Sequence, residues 1–337
     1  MKIYATMPIG NFYGWAICGK NLMMEMAKTT EVRYVPYELY DNAERDYPTN
    51  EFVKEKTEVP NGESFNYLQA IENNIPKPKY KGNKTVGYMF YEEETMTDEM
   101  VEALKEYDVI ATGSEWNSEI VRKHGVDNVV TVHQGINSDI FKPKNKLFFQ
   151  DKFIVFSGGK LEPRKGQDIV AYCVGKMQKK YDDFFLITSW ENIFNPSDLN
   201  QVNIKNMKKY LIPNQTIMTG ILKQEELSRY IAETDIGLFP NRCEGGTNLV
   251  MMEYMACGKP VIANYATGQK DVLSNHYAYL VEGKTDQELI DECLESLENA
   301  YHNREVFPDM GVQARDAMLK FTWKKTADKI LEIFNAN

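Results

Sequence analysis

The chain has 337 residues, of which 43% are apolar, 12% aromatic and 26% charged, and its formal net charge is −10 at pH 7. This length is too great for one ordinary core and fits two globular domains. The negative charge argues against nucleic acid as the main partner, because such binding needs a positive surface to meet the phosphates. No apolar run reaches the roughly 18 residues of a transmembrane helix, and the N-terminus is typical of a first strand rather than of a signal peptide.

Short β-rich runs alternate with helical patterns along the whole chain, which predicts βαβ units and parallel sheets. A first series of predicted strands covers residues 2–8, 32–37, 84–90, 108–113 and 128–133. A second series covers residues 152–158, 184–190, 216–221, 235–240, 260–265 and 277–281. An amphipathic helix is predicted over residues 320–335.

Two such series predict an α/β protein with two Rossmann-like, doubly wound domains that face each other across a cleft. A linker is predicted at about 137–151, where turn formers, a proline and several charges occur together. The predicted domains are 1–148, joined by the C-terminal helix at about 320–337, and 149–319. Ligands of such sheets bind at the carboxyl ends of the strands, so the cleft is the expected site.

The most informative segment is residues 239–264, FPNRCEGGTNLVMMEYMACGKPVIAN. A strand is followed by Glu244, two glycines that allow close backbone approach to a ligand, and a helix predicted over about 249–256. The start of that helix offers free N–H groups and partial positive charge, which suit a phosphate. Glu253 stands alone in an otherwise apolar helix, so it should meet a polar cavity or a donor, and ribose hydroxyls would supply such donors.

A second signal lies at residues 154–170, IVFSGGKLEPRKGQDIV. A strand runs into two glycines, followed by Lys160, Lys165 and a predicted helix start near 166–168. Fixed cations can neutralise a diphosphate leaving group without moving at the moment of reaction. The alternative is an ordinary surface turn with solvated lysines.

Together these segments resemble the signature of retaining GT-B glycosyltransferases of the group 1 (family 4) type. The resemblance implies that Glu244 lies beside the donor sugar, that Glu253 holds the ribose, and that two lysines grip the diphosphate. The implied catalytic residues are Glu244, Lys165 and Lys160, and the implied donor-binding residues are Gly14, Gly159, Arg164, Gly246, Thr247, Asn248, Leu249 and Glu253.

The chain departs from the family pattern at two points. The family has seven residues between the two glutamates and this chain has eight, so the backbone assignments in the Gly-Gly-Thr-Asn loop hold to within one residue. Lys160 stands where arginine is commoner, which removes a bidentate hold, and Arg164 is the alternative second cation.

The first predicted strand opens into a glycine loop, PIGNFYGWAICG, which lacks the G-x-G-x-x-G spacing of a dinucleotide site. Such a loop either admits a phosphate or packs a helix tightly on a strand. The resemblance favours a wall of the cleft, with Gly14 nearest the donor phosphates. The nucleotide base is expected to meet backbone near residues 220–222.

The lysine-rich stretch 77–84 is either a solvated linker or a patch for peripheral contact with anionic lipid or an acidic acceptor. The five cysteines lack a C-x-x-C motif and are typical of reduced thiols in a cytoplasmic protein. The four histidines lack metal-ligand spacing and no D-x-D pair occurs, so neither metal nor cofactor is expected.

The expected reaction is transfer of a sugar from a nucleotide-diphosphate donor to an acceptor hydroxyl, with retention at the anomeric carbon as the resemblance implies. The acceptor is a glycan, a lipid-linked molecule or a small molecule. Alternatives are a GT-B epimerase or phosphorylase and a non-catalytic nucleotide-sugar binder. A nicotinamide dehydrogenase is disfavoured by the missing glycine fingerprint.

Overall fold

A computed structural model describes residues 1–37, 51–53, 59, 64–191 and 213–336. Its contacts divide the chain into two compact units. Unit 1 comprises Met1–Gly135, Glu244–Leu249 and Phe321–Asn337, and unit 2 comprises Ile136–Cys243 and Val250–Lys320. Residues 137–151, predicted as a linker, belong to unit 2 in this division.

Unit 1 contains a six-stranded parallel sheet in the order β2-β1-β3-β4-β5-β6. Its strands are β1 Lys2–Thr6, β2 Glu31–Tyr34, β3 Asn66–Ile71, β4 Thr85–Met89, β5 Val109–Thr112 and β6 Val129–Thr131. Its helices are α1 Gly14–Met26, α2 Asp98–Leu104, α3 Glu115–Lys123 and the C-terminal helix, called α9 below, Trp323–Asn335.

Sequence analysis missed β3, which carries a polar side chain in a buried strand. The side-chain amide of Gln69 donates to the Tyr107 hydroxyl at 2.9 Å, and its oxygen accepts from the backbone N–H of Lys79 at 2.7 Å. Both partners come from outside the strand, and they satisfy a group that would otherwise be costly to bury. The partners of Gln69 are not visible in the local sequence pattern, and the strand was therefore not predicted.

The predicted return of the C-terminal helix to the N-terminal unit is confirmed. Helix α9 packs against α1, and the Lys84 ammonium donates to the carbonyl of Ile333 at 3.1 Å, near the end of α9. A cation at that end complements the partial negative charge of the exposed carbonyls. At its start, the Thr322 hydroxyl accepts from the N–H of Lys325, which caps the helix.

Unit 2 contains the second six-stranded parallel sheet, in the order β12-β11-β10-β7-β8-β9. Its strands are β7 Phe153–Lys160, β8 Phe184–Glu191, β9 Thr216–Met218, β10 Ile236–Phe239, β11 Val261–Asn264 and β12 Ala278–Val281. Its helices are α4 Gln167–Gln178, α5 Gln224–Ala232, α6 Leu249–Ala256, α7 Asp286–His302 and α8 Phe307–Met318, of which α6 begins with the one residue assigned to unit 1.

The unit 2 core explains why the second series of strands was visible in the sequence. Strands β7, β8 and β10 are central and covered on both faces, so they form near-continuous apolar runs. Helices α4 and α7 pack on them through buried residues such as Ile169, Cys173 and Leu297. Across the described part of the chain, no helix is both long enough and apolar enough to cross a membrane.

Candidate functional site

The carboxyl end of β7 lets the chain approach its neighbours closely. A Cβ added at Gly158 would lie 2.7 Å from the Val250 side chain in the first turn of α6, so only glycine fits here. Gly159 has φ +126°, a conformation that favours glycine, and the aliphatic part of the Lys165 side chain lies beside it. The Gly-Gly pair therefore brings β7, the Lys165 side chain and the start of α6 together within unit 2.

Three predicted cations cluster on the turn after β7. Lys160 ends the strand, and Arg164 and Lys165 lie on the single 3₁₀ turn Pro163–Lys165. Glu162, which sequence analysis did not single out, lies 3.2 Å from the Lys160 ammonium and 2.7 Å from the Arg164 guanidinium. Burial opposes its ionisation most strongly, but Arg164, Lys160 and Lys165 outweigh burial and hold the pKa of Glu162 below its usual range.

An arginine from the loop after β10 fixes this turn. Arg242 donates two hydrogen bonds to Asp168, at 2.9 and 2.7 Å, and two to Asp286, at 2.7 and 2.9 Å. It also donates to the carbonyl of Pro163, and its backbone N–H donates to the carbonyl of Arg164 at 2.7 Å. The planar guanidinium thus joins the cationic turn to the starts of α4 and α7.

The first residues of α4 and the glycine before them make contacts that hold the cationic turn in place. Gly166 has φ +69°, and a Cβ there would lie 2.4 Å from the carbonyl oxygen of Pro240. The next residue, Gln167, donates its side-chain amide to the carbonyl of Lys160 at 2.7 Å. Contacts within unit 2 therefore hold the turn that carries the cations, at Lys160 on one side and at Gly166 on the other.

Glu253 is buried in α6. Because it stands alone in an apolar helix, the sequence predicted that it would need a hydrogen-bond donor. The side-chain amide of Gln224 donates to Glu253 Oε1 at 2.6 Å. Burial raises the pKa of Glu253 to about 8, and the hydrogen bond from Gln224 acts in the lowering direction. At neutral pH the carboxyl group is therefore mostly protonated.

The segment expected to meet the nucleotide base lies beside the end of β8. The Glu191 carboxylate accepts from the backbone N–H of Ile221 at 2.6 Å. The Ser189 hydroxyl donates to the carbonyl of Gly220 at 2.9 Å, and the Thr219 hydroxyl donates to the carbonyl of Thr188 at 3.0 Å. Backbone positions 219–221 are thus held in place from β8, at the carboxyl edge of the unit 2 sheet.

The Glu-Gly-Gly-Thr-Asn loop is described with unit 1 except for its continuation into α6. Glu244, Thr247, Asn248 and Leu249 are buried, and α6 begins at Leu249 as predicted. A Cβ on Gly245 would lie 2.4 Å from the carbonyl oxygen of Tyr91. Close backbone approach is therefore needed at Gly245 for packing within unit 1.

Neighbouring side chains of unit 1 hold the same loop. The Ser114 hydroxyl donates to the carbonyl of Gly245 at 2.8 Å. A Cβ on Gly246 would lie 2.8 Å from the Phe90 ring and 3.4 Å from the Gln134 side-chain oxygen. Both glycines of the signature thus have a packing role in addition to the ligand role that the resemblance implies.

The first glycine loop contains two different kinds of glycine. Gly19 packs helix on strand, since a Cβ there would lie 2.0 Å from the carbonyl oxygen of Pro8. A Cβ on Gly14 would have no neighbour within 4 Å among the residues that the structure describes. Gly14, the first residue of α1, therefore has open space in front of it, whereas Gly19 is fixed by packing.

The lysine-rich stretch makes contacts inside unit 1. The Lys77 ammonium lies 2.5 Å from the Glu106 carboxylate, and Lys81 donates to the Glu106 backbone carbonyl. Lys84 contacts the end of α9, as described above. Three lysines of this stretch therefore have partners within unit 1.

Five of the predicted site residues belong to unit 2, namely Gly159, Lys160, Arg164, Lys165 and Glu253, and the first four lie on one turn at the end of β7. The other six are assigned to unit 1, namely Gly14, Glu244, Gly246, Thr247, Asn248 and Leu249. Sequence analysis missed Glu162, Gln224 and Arg242. Glu162 could have been noticed as the one carboxylate between two predicted cations, whereas Gln224 had no local signal. In the described ranges, no group of three or more His, Cys, Asp or Glu side chains could hold a metal ion.

Comparison with solved structures identifies the fold. The structure resembles that of sucrose-phosphate synthase from Thermosynechococcus elongatus with a TM-score of 0.75 at 14% identity, covering 99% of this chain and 98% of that one. It resembles HepE from Anabaena in complex with UDP-glucose with a TM-score of 0.75 at 14% identity, covering 99% of both chains. The fold is accordingly GT-B, with two Rossmann-like domains.

The family described as glycosyl transferases group 1 matches residues 138–311, and the chain belongs to that family. It is 29% identical over 130 residues to the sulfoquinovosyl transferase SQD2 of Arabidopsis thaliana, covering 37% of this chain and 24% of that protein. It is 23% identical over 227 residues to the D-inositol 3-phosphate glycosyltransferase of Paenarthrobacter aurescens, covering 64% of this chain and 54% of that protein. The chain thus spans about half or less of the length of these relatives.

Proposed function

We propose that this chain transfers a sugar from a nucleotide-diphosphate donor to an acceptor hydroxyl, with retention at the anomeric carbon and without a metal ion. The observation that carries the proposal is the arrangement at the carboxyl edge of the unit 2 sheet. There, Gly158 of β7 packs against Val250 in the first turn of α6, and the turn that carries Lys160, Arg164 and Lys165 follows directly. The buried carboxyl group of Glu253 lies about one helical turn after Val250 in α6. Ligands of parallel α/β sheets bind at this edge.

The cationic turn suits the diphosphate. Lys160, Arg164 and Lys165 are fixed by Glu162, by the Gly158–Gly159 pair and by Arg242, so they need little reorganisation as negative charge develops on the leaving phosphate. Glu162 offsets part of their charge and keeps the cluster from repelling itself. The charge that a divalent metal supplies in other transferases would come from these side chains and from the start of α6.

The buried carboxyl group suits the ribose. Ribose hydroxyls donate hydrogen bonds, and they would favour the charged form of Glu253 over the neutral form that burial favours. The base would meet backbone at residues 220–222, which follow β9 and precede Gln224 at the start of α5. Phosphate, ribose and base would then follow the carboxyl ends of β7 and β8, which are neighbours in the sheet.

Glu244, which directly follows Cys243, would contact the donor sugar. The N–H of Cys243 donates to the carbonyl of Arg164 at 3.4 Å, so the chain enters this glutamate from the cationic turn. The acceptor hydroxyl would attack from the face that the diphosphate leaves, and the leaving oxygen would take its proton. Orientation and fixed charge would supply most of the catalysis.

The test is a thermal-shift screen with UDP-, GDP-, ADP- and dTDP-sugars, each with EDTA and with added Mg²⁺. We expect one nucleotide class to raise the melting temperature equally in both buffers. A shift that requires Mg²⁺ would contradict metal independence, and no shift with any donor would overturn the donor assignment. With the donor identified, NMR of the product formed on an acceptor panel reports the anomeric configuration, and binding without turnover would indicate a non-catalytic binder.

A further inference from the structure

We propose that Gln224 is a positioning residue for donor binding: its side-chain amide holds Oε1 of Glu253 and thereby directs the second carboxyl oxygen to the ribose hydroxyls. This inference rests on the proposed donor binding by unit 2. It assigns a role to a residue at the start of α5 that lies 29 positions before Glu253 in the sequence and about which the local sequence pattern is silent.

Gln224 and Glu253 form a short hydrogen bond in the interior of unit 2. Both side chains are buried, and the Gln224 Nε2 to Glu253 Oε1 distance is 2.6 Å. A buried carboxyl group needs donors, because an unpaired charge in the interior is costly. Glutamine can supply a donor without adding a charge, so it orients the carboxyl group and leaves its ionisation to respond to the ligand.

The segment that carries Gln224 is anchored at both ends. Before it, Ile221 donates its N–H to Glu191 at 2.6 Å at the end of β8. After it, the side chain of Glu226 accepts from the N–H of Lys223 at 3.2 Å and closes the first turn of α5. One short segment, hydrogen-bonded at both ends, therefore joins the backbone proposed to contact the base to Gln224, which holds the carboxyl group proposed to bind the ribose.

The electrostatics give the role a measurable signature. Burial raises the pKa of Glu253 to about 8, and the Gln224 amide lowers it by stabilising the carboxylate. Cys257 directly follows α6 and is a titratable neighbour of Glu253. Burial, and then the charge of Glu253, raise the pKa of its thiol to about 12, so it stays neutral. Removing the Gln224 donor should therefore raise the pKa of Glu253 further.

The first measurement tests the contact without any nucleotide. The Glu253 carboxyl resonance in ¹³C-glutamate-labelled protein, assigned with Glu253→Gln, is followed from pH 5 to 10 in wild type, Gln224→Leu and Gln224→Met. We expect titration near pH 8 in wild type and at higher pH in both variants. Glu225→Gln, an exposed neighbour on α5, is the matched control and should leave the titration unchanged. An unaltered Glu253 titration in the Gln224 variants overturns the proposal.

The second measurement tests the ligand role. Dissociation constants are measured for UDP, GDP, ADP and dTDP and for their 2′,3′-dideoxy analogues. We expect the Gln224 variants to lose about tenfold or more in affinity for the ribonucleotide that wild type binds, because a hydrogen-bonding acceptor to ligand hydroxyls is disordered. Affinity for the dideoxy analogue should change little. Glu225→Gln should match wild type.

The two proposals fail in different ways. Wild type that binds none of the four nucleoside diphosphates would contradict the donor assignment itself, while the NMR titration would still decide whether Gln224 controls the pKa of Glu253. Wild type that binds, combined with equal losses for ribo- and dideoxynucleotides in the Gln224 variants, would overturn the positioning role alone. Gln224→Met preserves side-chain length and serves where Gln224→Leu does not fold.

Discussion

Replacing Glu253 by glutamine removes an ionisable group from the interior of unit 2 while preserving its shape and its hydrogen bond, since Gln224 can donate to the new amide oxygen. The pKa of Glu253 is raised from 4.5 to about 8, so the folded state holds a proton that the unfolded chain has released throughout this range. Each pH unit in the interval therefore costs wild type about 1.4 kcal/mol of stability.

The sign follows from proton binding. Below pH 4.5 both states are protonated and Glu253 imposes no pH-dependent cost; the cost grows as pH rises towards about 8 and is constant above it. At pH 7 it amounts to about 3 kcal/mol. We expect Glu253→Gln to be more stable than wild type by about that amount, with a melting temperature about 6–12 °C higher.

The assay is thermal unfolding of nucleotide-free wild type, Glu253→Gln and the control Glu225→Gln between pH 5 and pH 9. Other groups titrate in this range, so the informative quantity is the difference between each variant and wild type. For Glu253→Gln this difference should widen with pH and then level off, while Glu225→Gln should show none. A constant difference between pH 5 and pH 8 would refute the reasoning, because it would mean that Glu253 is ionised in the folded state throughout.

Three further substitutions test other parts of the site. Glu244→Gln should lower transferase turnover by at least about 100-fold with an unchanged melting temperature, if this group stabilises charge at the sugar; wild-type turnover would remove it from the catalytic set. Lys165→Ala should weaken binding of the nucleoside diphosphate about tenfold or more and leave nucleoside binding unchanged in calorimetry, and equal losses would argue against a phosphate contact. Gly166→Ala should destabilise the protein by about 2 kcal/mol or more in urea unfolding, because its Cβ would lie 2.4 Å from the Pro240 carbonyl oxygen at a positive φ; a neutral effect would show that this turn can move.

Several features were predictable because they depend on residues close together in the chain. The central strands of unit 2 are covered on both faces, so their apolar runs stand out from the polar turns around them. The Gly158–Gly159 pair ends β7 and the lysines come within six residues of it, so this turn could be recognised in the sequence. Helix α6 was predicted over 249–256, and the structure places it at Leu249–Ala256.

Other features depend on partners that are distant in sequence. Strand β3 contains Gln69, which is satisfied by Tyr107, 38 positions away. Gly245 was interpreted as leaving space for a ligand, and only the structure shows that it also packs against Tyr91. Arg242 joins two aspartates that lie on either side of it, 74 and 44 positions away.

By itself the sequence determined the alternation of strands and helices, the two parallel sheets and the glycine- and lysine-rich turn, because hydrophobic periodicity and turn chemistry are local properties. Tertiary structure decided which buried polar groups meet. The pairing of Glu253 with Gln224, and of Arg242 with Asp168 and Asp286, follows from how the unit 2 elements pack. The ionisation of a buried carboxyl group is governed by its surroundings in space, and those surroundings exist only once the chain has folded.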